Sequence, residues 1–205
     1  MTAAPPSTQR LVAGRAGESV HVIHDAELGE ITFTVLDPDA DLDVVHAWVS
    51  APGAQFWGLA ELPRDELRDL YAYVDELPSH HAFLVRRDGL PIVLLQTYEP
   101  ENDPLGEVYA TEPGDVGIHF LLGARGAPAR GFTTRIGHLI ASFLFSRPEV
   151  DRVIIEPDVG NDRAVARVRL FGFELGPHVE LPHKTGQLAF LTRARWRELS
   201  ARQAG

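Results

Sequence analysis

The stretch DVGIHFLLGARGAPARGFTTRIGHLIASFLFSRPEVDRVIIEP, Asp115 to Pro157, decides the fold class. Its first part, Asp115–Gly123, alternates so that Val116, Ile118, Phe120 and Leu122 share one face of a strand and Gly117, His119 and Leu121 the other. A loop rich in Gly and Pro follows. FTTRIGHLIASFLF then repeats apolar residues at helical spacing (Ile136, Leu139, Ile140, Phe143, Leu144), and Arg147-Pro148 stops it. RVIIEP, Arg152–Pro157, is short and mostly apolar, as a buried central strand is. Strand, helix and strand in this order form a right-handed crossover, so the two strands are expected to run parallel.

Upstream, Ser19–His24 and Glu30–Asp37 read as a hairpin split by Gly29. Asp41–Ser50 carries a helical stripe ended by Pro52-Gly53, and PRDELRDLYAYVDEL starts a second helix at Pro63. HAFLVRRDGLPIVLLQTYEP is a hairpin turning at Asp88-Gly89. Downstream, NDRAVARVRLFGF is a helix closed near Gly172, and FELGPHVEL with GQLAFLTR are two antiparallel strands. The order ββααβββαβαββ gives an α/β domain with a mixed sheet. Residues 1–18, rich in Ala, Pro, Ser and Gly, are expected to form a flexible tail, and 19–205 a single domain.

Composition narrows the chemistry. The absence of cysteine excludes disulfides and thiolate chemistry and fits a reducing cytoplasm. A formal charge of -10 argues against a nucleic-acid partner. No apolar run approaches the ~20 residues that cross a bilayer, so no membrane association is expected. His80-His81, His178 and His183 lack metal-ligand spacing, so no metal is expected, and no GxSxG element marks a serine hydrolase.

Three local features can carry chemistry. The loop Pro128 to Thr134 delivers backbone N–H groups at a helix N-terminus, which is what a pyrophosphate needs; Arg130 adds charge and Thr133 or Thr134 a hydroxyl. Asp158 lies just past the carboxyl end of an apolar strand, where it is either a ligand group or a turn carboxylate. His119, flanked by Gly117 and Gly123, is either a general base or a half-buried histidine bonded to a neighbour. Trp48 and Trp57 are core aromatics or the walls of a substrate pocket.

Taken together, these pieces resemble the GNAT superfamily of acyl-CoA N-acyltransferases. The strand–loop–helix unit above carries the resemblance, together with VIIEPDVGNDRAVARVRLFGF, where Asn161, Ala164 and Gly172-Phe173 keep the superfamily spacing. Within it the chain is similar to siderophore-biosynthesis acyltransferases acting on N-hydroxylysine, N-hydroxyornithine or N-hydroxycadaverine. The shared elements are His46-x-Trp48, Trp57, Tyr98, Asp103-x-Leu105-Gly106, Tyr109, Gly117-x-His119 and Pro157-Asp158-x-x-Asn161.

The resemblance implies a GNAT fold whose mixed sheet splays between two parallel strands, with acyl-CoA (acetyl-CoA or succinyl-CoA) in the gap. It makes His119 and Asp158 the catalytic pair. Phe120, Leu121 and Leu122 would meet pantetheine; Arg130, Gly131, Phe132, Thr133 and Thr134 the pyrophosphate; and Asn161 would complete the cofactor site. His46, Trp48, Trp57, Gln96 and Tyr98 would bind a hydroxylamine or amine, in a monomer or homodimer. The chain departs from the pattern at Thr133, where a second glycine is usual, at Pro128, and at Gln96, where an acidic residue is usual. An aminoglycoside or polyamine N-acetyltransferase, a non-catalytic acyl-CoA-binding domain and a structural domain without a CoA site are the competing readings.

Overall fold

The computed structural model describes residues 10–123 and 131–203. They form one 8-stranded sheet in the order β1-β2-β3-β4-β5-β6-β8-β7. The strands are β1 (Ser19–Asp25), β2 (Gly29–Val35), β3 (His80–Arg87), β4 (Leu90–Tyr98), β5 (Asp115–Leu122), β6 (Arg152–Ile155), β7 (Glu174–Leu181) and β8 (Lys184–Thr192). All neighbours pair antiparallel except β5 and β6, which run parallel as the crossover requires. The mixed α/β sheet is the one expected from the order of elements.

Helices cover both faces. On one face α3 (Phe132–Phe145) and α4 (Asp162–Leu170) enclose the larger core, where Ile136, Ile140 and Phe143 meet Phe33, Phe83, Val116 and Val153. The other face carries α1 (Leu42–Val49) and α2 (Arg64–Glu76), whose Val45, Val49, Leu67 and Tyr71 pack on Leu84 and Leu94. The strand alternation read at β5 therefore holds: Val116 and Ile118 belong to the α3 side, and Leu121 packs on the α1–α2 side.

Two parts of the chain differ from the expectation. Residues from Arg10 onward, assigned to the flexible tail, are held: Leu11 is buried in the larger core, and Arg10 pairs with Glu99 and Glu101. The chain also ends in an unexpected helix, α5 (Arg193–Gln203). Its apolar residues Trp196 and Leu199 dock on the larger core, Trp196 stacking against Phe145. So few apolar positions leave no periodic stripe to read.

Candidate functional site

β5 and β6 are paired only at Asp115–Arg152, Val116–Val153 and Gly117–Ile154. The start of this ladder is fastened by Arg152, whose guanidinium reaches the fully buried Asp115 carboxylate at 2.7 and 2.8 Å. Beyond it the strands part. β5 stays with β4 as far as Leu122–Val93, whereas the chain after β6 turns to β8, the Pro157 carbonyl accepting from the Gln187 N–H at 2.8 Å. Pro157 has no N–H of its own with which to extend a ladder.

The gap opens into a cleft of about 550 Å3 lined by residues of α1, α2 and α4, among them Trp48, Leu70 and Ala164. His119 and Glu156 face each other across it, Nε2 lying 2.5 Å from Glu156 Oε1. The His119 side chain is 35% exposed and the Glu156 side chain 3%. Glu156 is held from three directions, because the Lys184 ammonium donates to Oε1 at 3.1 Å and the Tyr98 hydroxyl donates to Oε2 at 2.8 Å. Burial pushes this carboxyl up, but the charge and hydrogen bond of His119, the charge of Lys184 and the Tyr98 hydroxyl outweigh it and bring it down to about 2. An ionised carboxylate accepts only, so His119 donates to it through Nε2–H.

The carboxylate against the imidazole is thus Glu156, where the resemblance had implied Asp158. Asp158 lines the same cleft, but its Oδ1 accepts from the Gly160 N–H at 2.7 Å, the local turn that its residue type favours. Glu156 and Lys184 went unassigned. A signal for Glu156 did exist: in RVIIEP it continues the face of Ile154, and a charged residue in line with a buried strand needs partners.

The remaining candidates divide. Phe120, Leu121, Leu122 and Asn161 line the cleft, as do Trp48, Trp57 and Gln96. Asn161 also caps α4, accepting from the Ala164 N–H at 3.1 Å, which accounts for the Asn–Ala spacing. Trp57 meets His119 edge-on, with ring centroids 6.4 Å apart, and Trp48 covers Gly123, where any side chain would collide with the indole. Tyr98 is buried beneath the site instead of lining it, and lies over Gly117. His46, half-buried on α1, is not among the cleft-lining residues, and neither are Gly131, Phe132, Thr133 and Thr134. Arg130 and Pro128 fall outside the described residues. Gly131 is the N-cap of α3 with φ 71°, and among the described residues no side chain caps the helix.

Comparison with known proteins agrees with this fold. N(6)-hydroxylysine O-acetyltransferase of Escherichia coli is 26% identical over 171 residues, covering 80% of this chain and 52% of that protein. Lysine N-acyltransferase MbtK of Mycobacterium sp. (strain MCS) is 28% identical over 130 residues, 62% of this chain and 53% of that protein. The chain therefore spans about half the length of these curated relatives. In fold, it is like the aminoglycoside acetyltransferase AAC(6')-Ib crystallised with coenzyme A: the TM-score is 0.72 at 23% identity, over 83% of this chain and 99% of that one. Residues 37–181, well over half of the sequence, match the acetyltransferase (GNAT) domain family, and the chain belongs to that family.

Proposed function

We propose that this protein is an acyl-CoA-dependent N-acyltransferase that acylates the hydroxylamine nitrogen of an N-hydroxylated diamine or amino acid, giving a hydroxamate. The observation that carries the reading is the parting of β5 from β6, with a carboxylate-held imidazole in the gap. A strand that has lost one neighbour offers alternate backbone N–H and C=O groups to an amide-bearing ligand, and the pantetheine arm of acyl-CoA has such amides. Phe120 to Leu122 supply that edge, and the start of α3, which no described side chain caps, suits the pyrophosphate.

A hydroxylamine is uncharged near neutral pH and attacks without prior deprotonation. Its nitrogen forms a bond to the thioester carbonyl carbon, and Nδ1 of His119 takes the proton as that nitrogen becomes cationic. Backbone N–H groups of β5 steady the oxyanion; the C–S bond then breaks, the imidazolium gives its proton to the sulfur, and CoA leaves as the thiol. Glu156 keeps the imidazole in the tautomer this step needs. Asp158, on the rim, is free to contact the acceptor.

The relative acting on hydroxylysine supports this acceptor class, and the cleft's charges favour it over a polycationic aminoglycoside. Among the described residues, Arg163 and Arg167 line the cleft, and its carboxylates are Asp158 and Glu156, the latter already paired with Lys184. The test is thiol release from acetyl-CoA and succinyl-CoA with N-hydroxycadaverine, N-hydroxylysine and N-hydroxyornithine, using the plain amines and kanamycin as controls. Preference for a hydroxylated acceptor is expected. Turnover confined to kanamycin or plain amines would overturn the reading.

A further inference from the structure

We propose that Lys184 donates a hydrogen bond to the N–O oxygen of a hydroxylamine acceptor and, by its charge, disfavours an acceptor whose reacting nitrogen is an ammonium. The inference rests on the acyl-transfer reading above and assigns its choice of nucleophile to one side chain.

Of the 19 Lys and Arg residues in the chain, Lys184 is the only lysine. An ammonium is a compact charge with three N–H donors, where a guanidinium is a planar fork. The fold delivers this ammonium to the gap. The chain leaving β6 is fastened to the start of β8, the Val159 N–H donating to the Thr185 carbonyl at 3.0 Å. Gly186 packs against Glu156, and a Cβ there would stand 3.3 Å from the Glu156 Cβ. Lys184 enters β8 just before this contact and reaches the same carboxylate.

The Lys184 side chain lines the cleft and is 14% exposed. One N–H goes to Glu156 Oε1 at 3.1 Å, its one hydrogen-bond partner among the described residues. Two donors of a largely buried ammonium are left for a ligand oxygen or water, because unmet they would cost stability. His119 Nε2 lies 2.5 Å from that same Oε1, so imidazole and ammonium flank one atom. A nitrogen held by the imidazole therefore brings its own substituents close to Lys184. In a hydroxylamine one of these is an uncharged oxygen, able to accept from the ammonium.

A plain amine offers the opposite. Near neutral pH it is an ammonium, with N–H donors only and a second positive charge beside Lys184. Glu156 is already shared among His119, Lys184 and Tyr98. The other cleft carboxylate, Asp158, has its Oδ1 on the Gly160 N–H.

The experiment measures dissociation constants of N-hydroxycadaverine and cadaverine for the protein saturated with CoA, in which no transfer occurs. Wild type, Lys184→Met and Lys184→Gln are compared, with Tm recorded for each. The wild type is expected to bind the hydroxylated acceptor more tightly, and Lys184→Met to shrink that preference about tenfold or more. Lys184→Gln, which keeps an N–H donor without the charge, is expected to fall between them. If Lys184 only steadied Glu156, both acceptors would weaken together and the ratio would stay. A ratio within about twofold of wild type in folded Lys184→Met therefore overturns the role of Lys184 and leaves the proposed function standing. Should Lys184→Met not fold, an unchanged ratio in Lys184→Gln has the same meaning. A wild type that acylates N-hydroxycadaverine yet binds cadaverine equally well also overturns the role of Lys184. A wild type that neither binds nor acylates a hydroxylamine overturns both proposals.

Discussion

The Tyr98 ring occupies the space that a side chain at position 117 would fill: a Cβ on Gly117 would overlap it. Gly117 is bare because Tyr98 must lie flat across β5 to bring its hydroxyl to Glu156. Gly117→Ala should therefore displace the ring, cost about 1–3 kcal/mol of stability and weaken the hold on Glu156. Urea unfolding and kcat, measured together, check this. A variant as stable and as active as wild type would refute the packing argument.

Glu156 gives a pH signature. Its carboxyl is held down to about 2 in the folded protein against an ordinary value of 4.5. Because the folded value is the lower one, the associated stability is fully present above the unfolded value and is lost as pH falls from about 4.5 toward about 2. Glu156→Gln should be less stable at neutral pH and should lose less stability over that acid range. Denaturant midpoints between neutral pH and the acid range measure the difference.

The two acidic residues at the end of β6 should also separate kinetically. Glu156→Gln removes the acceptor that fixes the His119 tautomer, and a loss of about 10² or more in kcat is expected. Asp158→Asn alters a turn contact and the rim of the cleft, so its smaller effect should fall on KM for the amine acceptor. The opposite ranking would restore Asp158 as the partner of His119.

Replacing the base itself is the direct test of the mechanism. His119→Ala should lower kcat/KM by about 10²–10⁴. Values within about threefold of wild type across about pH 6–8 would remove His119 from the proton-transfer step.

Asp115 and Arg152 clamp the parallel strands below the gap, with Tyr109 donating to the same carboxylate at 3.0 Å. Asp115→Ala leaves a guanidinium without its buried partner and should cost about 3–5 kcal/mol. Equilibrium unfolding reads the loss; the pH profile of kcat should keep its shape, because the clamp touches neither His119 nor Glu156.

Much of this was legible from local pattern. The β3–β4 turn at Asp88-Gly89 has φ of 48° and 81°, the two positive values that a two-residue hairpin demands. The α3 stripe is buried at Ile136, Ile140, Phe143 and Leu144, and Leu139, which its periodicity also marked, is partly buried. Gly172, with φ 89°, closes α4 where the sequence put the stop. The candidate site was less legible. Trp48, Trp57, Gln96, His119, Asp158 and Asn161 do share one cleft, but Tyr98 is a support below it and His46 lies off its lining. The order in which residues face a ligand depends on neighbouring strands, and a strand's own alternation reports only which side it faces.

By itself the sequence determined the helices and strands as far as β8, their order and the parallel crossover, because periodicity, turn residues and helix stops act over a few residues of chain. It also placed His119 on the face of β5 that became the cleft. Only the tertiary structure decided that the imidazole's partner is Glu156, 37 residues away, and that Lys184 and Tyr98 hold that carboxylate in place. The reason is physical. Which of two nearby acidic residues meets a histidine depends on where a parallel ladder stops, and that is settled when separate strands pack together.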